Sequence, residues 1–238
     1  MVKRINLTLG MGFLALLLVG SCATGGPGAS RVDAQGRERL AAISLLPECT
    51  ETETVTGDRT DQIEGCHLKA GKSGPHLVVT SDPIEYAMLG PAGFVSVSVT
   101  SRKGQHIGDF AEVTHGHYGY PMLRDVDGDG RQDVVIPRAT DAVNEVYSVW
   151  LQQQNGDFSH AGELTANQIT WSSRGLIAAA QRTGVSEWAV SYFRADAGKL
   201  QEVALVTGQG SEPPERGGAC KIVRIAEGAE PGRFCAQR

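Results

Sequence analysis

Asp125-Val126-Asp127-Gly128-Asp129-Gly130-Arg131-Gln132-Asp133 places carboxylates at positions 1, 3, 5 and 9 of a nine-residue stretch. Gly130 stands at position 6, where the chain must turn sharply, and the carbonyl of Arg131 at position 7 adds a further oxygen. Hard oxygens at this spacing can wrap one Ca²⁺, which takes roughly six to eight of them at about 2.3–2.6 Å. Four aspartates so close together repel one another, and a bound cation relieves that cost. Mg²⁺ demands a tighter octahedron and suits the spacing less well. The ligand set read here is Asp125, Asp127, Asp129, Arg131 through its carbonyl, and Asp133, with Ca²⁺ as cofactor. The plainer alternative is an Asp-Gly-rich surface turn. A helix–loop–helix calcium hand is disfavoured. Position 12 is Ile136 instead of a bidentate Glu, and Val134-Val135-Ile136 reads as a strand.

Other chemistry is sparse. His115-Gly116-His117 could seat a transition metal, but a Gly-rich approach whose aromatics pack near the calcium loop explains it better. Tyr118 and Tyr120 are alternatives for contacting a partner, since amphipathic aromatics anchor interfaces when exposed. The chain contains no Gly-x-Ser-x-Gly, no His-Glu-x-x-His and no P-loop. Among its 27 acidic residues no spacing singles out a pair for glycoside hydrolysis. The expectation is a binding protein, not an enzyme, with no catalytic residue assigned.

Cys49, Cys66, Cys220 and Cys235 form an even set. In an oxidising compartment such a set forms disulfides. Three pairings are open, and short local closure favours Cys49–Cys66 with Cys220–Cys235. Each loop would contribute about 3 kcal/mol on the chain-entropy account. A zinc site is disfavoured, because no Cys-x-x-Cys spacing occurs.

The compartment is argued from the N-terminus. Lys3 and Arg4 precede the apolar run Met11–Val19, which is too short to span a bilayer as a helix. A basic start, an apolar middle and small residues make a secretory signal. Val19-Gly20-Ser21-Cys22 resembles the lipobox of bacterial lipoproteins, which implies cleavage after residue 21 and lipidation of Cys22. Acyl chains would then anchor the chain in a membrane. Ala23, where an Asp would mark inner-membrane retention, implies an outer-membrane anchor facing the periplasm. The stretch 22–36 is rich in Gly, Ala and Ser and reads as a flexible tether.

Residues 37–238 remain as one domain. The whole chain of 238 residues is 41% hydrophobic and 21% charged, which supports a core and argues against wholesale disorder. Its net charge of −5 and lack of a Lys/Arg run give no nucleic-acid footprint. Arg37–Leu46 can form one short helix, and no amphipathic helix of twelve or more residues is evident. Beyond it the hydrophobic period approaches two. Leu77–Thr80, Glu85–Leu89, Phe94–Thr100 and Val134–Ile136 read as strands, with Val95, Val97 and Val99 on one face. Val143–Leu151 and Phe158–Leu164 flank an Asn155-Gly156 hairpin turn. Trp188–Arg194 and Leu200–Val206 repeat the pattern around Ala197-Gly198. Lys221–Ile225 and Gly232–Phe234 are also strand-like, and Gly208–Gly218 is a loop. Tyr147 and Trp150 should lie on opposite faces, Trp150 in the core and Tyr147 at the surface, with Trp171 and Trp188 in the core. The fold class is all-β: a β-sandwich or open barrel carrying one inserted calcium loop.

The Asp-rich loop resembles those of FG-GAP and VCBS repeats, which recur to build propeller blades. One copy here argues against a propeller. With Asn144, Tyr147, Trp150, Leu151, Gly156 and Phe158, the stretch from Tyr120 to Leu164 resembles single-loop periplasmic lipoproteins. Their relatives include immunity proteins of type IV secretion systems and periplasmic lysozyme inhibitors. The resemblance implies an inhibitor or immunity factor against a peptidoglycan hydrolase, with a cell-wall glycan hydrolase as partner. The alternative is a calcium-stabilised envelope or adhesion module without such a partner. The Ser-Gly-x-x-Tyr inhibitory loop of known inhibitors of invertebrate-type lysozyme does not carry over. Ser73-Gly74 is followed here by Pro75-His76-Leu77.

Overall fold

The computed structural model describes residues 31–49, 65–84, 92–115, 120–140, 143–172, 175–213 and 219–235. One α-helix, α1 (Arg31–Ile43), precedes the sheets among these residues. The first sheet contains β1 (Cys66–Lys69), β2 (His76–Ile84), β3 (Ala92–Thr100), β4 (His106–His115), β5 (Met122–Arg124), β6 (Asp133–Thr140), β7 (Glu145–Gln152) and β8 (Phe158–Ala166). Its order is β1-β2-β3-β4-β6-β7-β8, with β5 paired to β6. The second sheet contains β9 (Gln168–Trp171), β10 (Leu176–Arg182), β11 (Glu187–Asp196), β12 (Lys199–Gln209) and β13 (Ala219–Ile225), in the order β13-β12-β11-β10-β9. Neither sheet closes into a barrel or propeller, and the architecture is the expected all-β, sandwich-like one. Among the described residues, pairing between these strands is antiparallel except for one parallel contact between β4 and β6, His115 with Ala139, and an isolated parallel bridge joins Glu48 to His67 of β1.

Alternation explains β3. Val95, Val97 and Val99 are buried, while Ser96 and Ser98 are half-exposed. Thr100 breaks the pattern and is buried, just past a register shift between Val99 and Thr100. β6 follows a different rule. Val134, Val135 and Ile136 are all 0% exposed because apolar layers cover both faces of this strand. Val134 and Ile136 join a core with Leu77, Val97 and Phe110. Val135 faces the other way, into a core with Val149, Leu151, Leu164 and Ile177 of the second sheet. A further core, with Trp188, Val190, Tyr192 and Phe234, covers the opposite face of the second sheet.

β7, the neighbour of β6, shows the same division. Trp150 packs on the first core, stacked on Phe110 at 4.3 Å between ring centroids. Tyr147 does lie on the opposite face, but that face is the interior between the sheets, so the expected surface position is corrected to half-buried. Trp188 is buried as expected, and Trp171 is half-buried against the between-sheet core.

Both disulfides are the local ones. Cys49–Cys66 ties the chain after α1 to the start of β1, and Cys220–Cys235 ties β13 to the C-terminal end. There Gly232–Phe234 is not a strand: Pro231–Arg233 forms a 3-10 turn, which Pro231 opens with its fixed φ.

Several elements differ from the sequence pattern. α1 spans 13 residues and starts at Arg31, so its first residues occupy the end of the stretch read as tether. Gly36 is its tight contact: a Cβ there would sit 2.2 Å from the Lys103 carbonyl oxygen. The helix therefore docks on the 101–105 turn, where Arg39 also donates to the Gly104 carbonyl at 2.8 Å. β3 pairs with β2 and β4, and the expected partner Glu85–Leu89 lies outside the described residues. β10 (LIAAAQR) was illegible because three alanines favour helix. β1 and β9 have four residues each, too short to show a period. No helix among the described residues is long and apolar enough to cross a membrane.

Candidate metal centre

The Asp-rich stretch is the turn of a β-hairpin. β5 and β6 pair antiparallel, with Arg124 opposite Asp133, so strands flank the loop on both sides. Gly128 (φ 77°) and Gly130 (φ 86°) take left-handed conformations that a Cβ would strain. With those turns in place, each carboxylate receives backbone donors. Asp125 accepts from the Gly128 N–H through Oδ1 at 2.9 Å and from the Gly130 N–H through Oδ2 at 3.1 Å. Asp127 Oδ1 accepts from Asp129 N–H at 3.1 Å, and Asp129 Oδ1 from Arg131 N–H at 2.8 Å.

Asp133 is the buried member, with no exposed surface. Its Oδ2 accepts from the Val126 N–H at 2.7 Å and its Oδ1 from the Gln152 N–H at 2.8 Å. One carboxylate thus staples the start of the loop to the end of β7. Val126 is itself buried beside Ile177 in the core between the sheets. From the second sheet's side, Gly175 (φ 68°) lies so close that a Cβ would fall 2.3 Å from the Asp127 carbonyl oxygen. The loop is held from both sheets.

Asp125, Asp127 and Asp133 each bring a carboxylate oxygen to within 4.8 Å of the others. Asp129 lies outside that group; its carboxylate pairs with the Arg131 guanidinium. Arg131 also donates through Nε to the Gln152 carbonyl at 3.0 Å. Burial pushes the Asp133 carboxyl up to about 7, against the pull of its two backbone donors, and the charges of Asp127 and Asp129 add to the rise. Burial likewise raises Asp127, with the Asp129 and Asp125 charges reinforcing it. This donor set contains only hard oxygens and holds negative charge in a partly desolvated place. Those two properties fit Ca²⁺, which would sit among Asp125, Asp127 and Asp133 and contribute an electrostatic cross-link.

His115 ends β4 and is exposed, while His117 and Tyr118 lie outside the described residues. Tyr120 is half-buried against the first core. One polar cluster escaped the sequence reading. Glu112 Oε1 accepts from Trp150 Nε1 at 2.9 Å and from Ser148 Oγ at 2.5 Å, and its Oε2 lies 3.2 Å from Arg138 Nε. Arg138 also pairs with Glu163. These residues come from β4, β6, β7 and β8, so no spacing along the chain could have revealed them. The cluster is internally satisfied and ties four strands together.

The sequence matches no protein-family model and no curated protein. Two solved structures are similar in chain trace. A Xanthomonas type IV secretion system related protein shares 15% identity at a TM-score of 0.47, covering 74% of this chain and 95% of that one. A periplasmic lysozyme inhibitor of I-type lysozyme from Aeromonas hydrophyla shares 15% identity at a TM-score of 0.34, covering 43% and 88%.

Proposed function

We propose that this chain is a calcium-binding lipoprotein of the cell envelope that inhibits a peptidoglycan hydrolase, as an immunity factor or guard. The observation that carries the metal part is the convergence of the Asp125, Asp127 and Asp133 carboxylates in a strand-flanked turn. The lipobox-like Val19–Cys22 and the two disulfides support an anchored protein in an oxidising envelope compartment, outer-membrane and periplasm-facing. The resemblance of Tyr120–Leu164 to single-loop periplasmic lipoproteins supports the inhibitor part.

The physical logic is preorganisation. An inhibitor that fills a substrate cleft gains affinity when its turns are already ordered. Here Ca²⁺ would neutralise the Asp loop and fix the hairpin end of the first sheet. Asp133 and Gly175 would pass that order to both sheets. The same staple favours a second reading, a calcium-stabilised envelope or adhesion module with no hydrolase partner.

The test is inhibition at equal molar ratio. The full chain, purified in non-ionic detergent with Ca²⁺, is added to lysozymes and secreted muramidases, including any encoded beside its gene. Stoichiometric slowing of at least one supports the inhibitor. A panel left untouched gives the module reading instead, and turnover of peptidoglycan by the chain alone would overturn both.

A further inference from the structure

The four turns at the Asp-loop end of the first sheet border an open cleft of about 690 Å³. Its walls are the 70–75, 101–107, 130–132 and 152–156 segments. Lys72, Arg102, Lys103 and Arg131 line it, and among the described residues no acidic one does, in a chain whose net charge is −5. Lys72, Arg102 and Lys103 are exposed and have no ion-pair partner among the described residues. The remaining polar lining is dominated by amides, including Gln105, Gln132, Gln153 and Asn155.

We infer that this cleft binds a carboxylate-bearing glycan segment. Three features select that ligand. The unpaired cations supply the charge-assisted hydrogen bonds that carboxylates take best. The amides offer donors and acceptors side by side, which match hydroxyl and acetamido groups. The volume falls in the range of sites that enclose a small ligand, about 300–1,000 Å³, so a short chain segment fits inside it. A flat acidic protein face would reach fewer of these groups. His76, which follows the 70–75 turn, has its imidazole pushed below its usual value, first by burial and then by Lys69, His67 and Arg102. One wall is braced from outside: α1 docks on the 101–105 turn through Gly36 and Arg39.

The inference stands apart from the inhibitor reading, since a chain that slows no hydrolase can still bind glycan here. The test is calorimetric titration of the full chain in detergent and Ca²⁺ with solubilised peptidoglycan fragments. Parallel titrations use uncharged N-acetylglucosamine oligomers and poly-glutamate. The expected result is binding that weakens with salt. The Lys72→Gln/Arg102→Gln double variant should bind about tenfold more weakly, the equivalent of one charge-assisted hydrogen bond, with an unchanged melting temperature. A milder Lys103→Gln variant should bind with intermediate affinity. No binding of the fragments, equal binding of the uncharged oligomers, or unchanged affinity in the double variant would overturn the inference. Tighter binding of poly-glutamate than of the fragments would overturn it too, and would assign the cleft to an acidic protein.

Discussion

The Asp loop and the cationic cleft meet at Gly130–Gln132, yet they handle charge in opposite ways. The acidic residues turn onto the loop's own backbone: Asp133 is buried, Asp125 and Asp127 are half-buried, Asp129 is exposed, and every carboxylate of the loop accepts backbone donors. The cations at Lys72, Arg102 and Lys103 turn outward and are held by no ion pair among the described residues. Arg131 belongs to both regions, pairing with Asp129 while lining the cleft. Charge that is buried and hydrogen-bonded fixes structure and, on the proposed calcium reading, would hold a compact cation. Charge that is exposed and unpaired costs the fold little and is available to a second molecule.

The largest expected effect tests the inward side. Asp133→Ala removes the acceptor for Val126 and Gln152 together, leaving two buried N–H groups unpaired. It should destabilise the protein by about 2–6 kcal/mol, at roughly 1–3 kcal/mol for each group, measured by urea unfolding in Ca²⁺. A loss below about 1 kcal/mol would mean the staple is not structural.

Next comes Gly175→Ala, which brings a methyl group against the Asp127 carbonyl at a left-handed position. A cost of about 1–3 kcal/mol is expected, with a smaller calcium response than the parent. An unchanged calcium response in thermal melts would separate the second sheet from the loop.

Protons should compete with the metal. The folded-state value of Asp133 lies well above that of an ordinary carboxylate, at about 7. The metal-free protein therefore gains stability as pH falls from about 7 toward 4, because the ionised form is the costly one. Ca²⁺ needs that ionised form. The rise in melting temperature on adding Ca²⁺ should be full above pH 7 and shrink steadily toward pH 5. An increment that stays level across this range would detach Asp133 from the ion.

The smallest effect sharpens the outward side. Lys72→Gln with Arg102→Gln should change stability by no more than about 0.5 kcal/mol, in the same urea series. A large loss would show that these cations serve the fold.

How much of this was legible follows from where the signal lies. The Asp loop is local: nine consecutive residues carry donors, glycines and spacing together. Val95, Val97 and Val99 were equally plain, because a half-buried strand writes its period into the chain. The cleft and the Glu112 cluster were not legible, since each assembles residues from several turns or strands. Tyr147 was misplaced for a related reason: alternation gives opposite faces, but the cover supplied by the second sheet decides that both are interior. The Asp loop also concealed something. Its regular spacing gives Asp129 and Asp133 equal standing, whereas tertiary contacts bury one and pair the other with Arg131.

The central claim is that the turn gathers its carboxylates for Ca²⁺, and thermal unfolding of the full chain with and without the metal tests it most directly. At Ca²⁺ near a hundred times its dissociation constant, binding should add about 2.7 kcal/mol. That corresponds to a rise of roughly 5–10 °C in melting temperature for a protein of this size, absent in chelator and absent in Asp127→Ala. Superimposable melts in saturating Ca²⁺ and in chelator would contradict it.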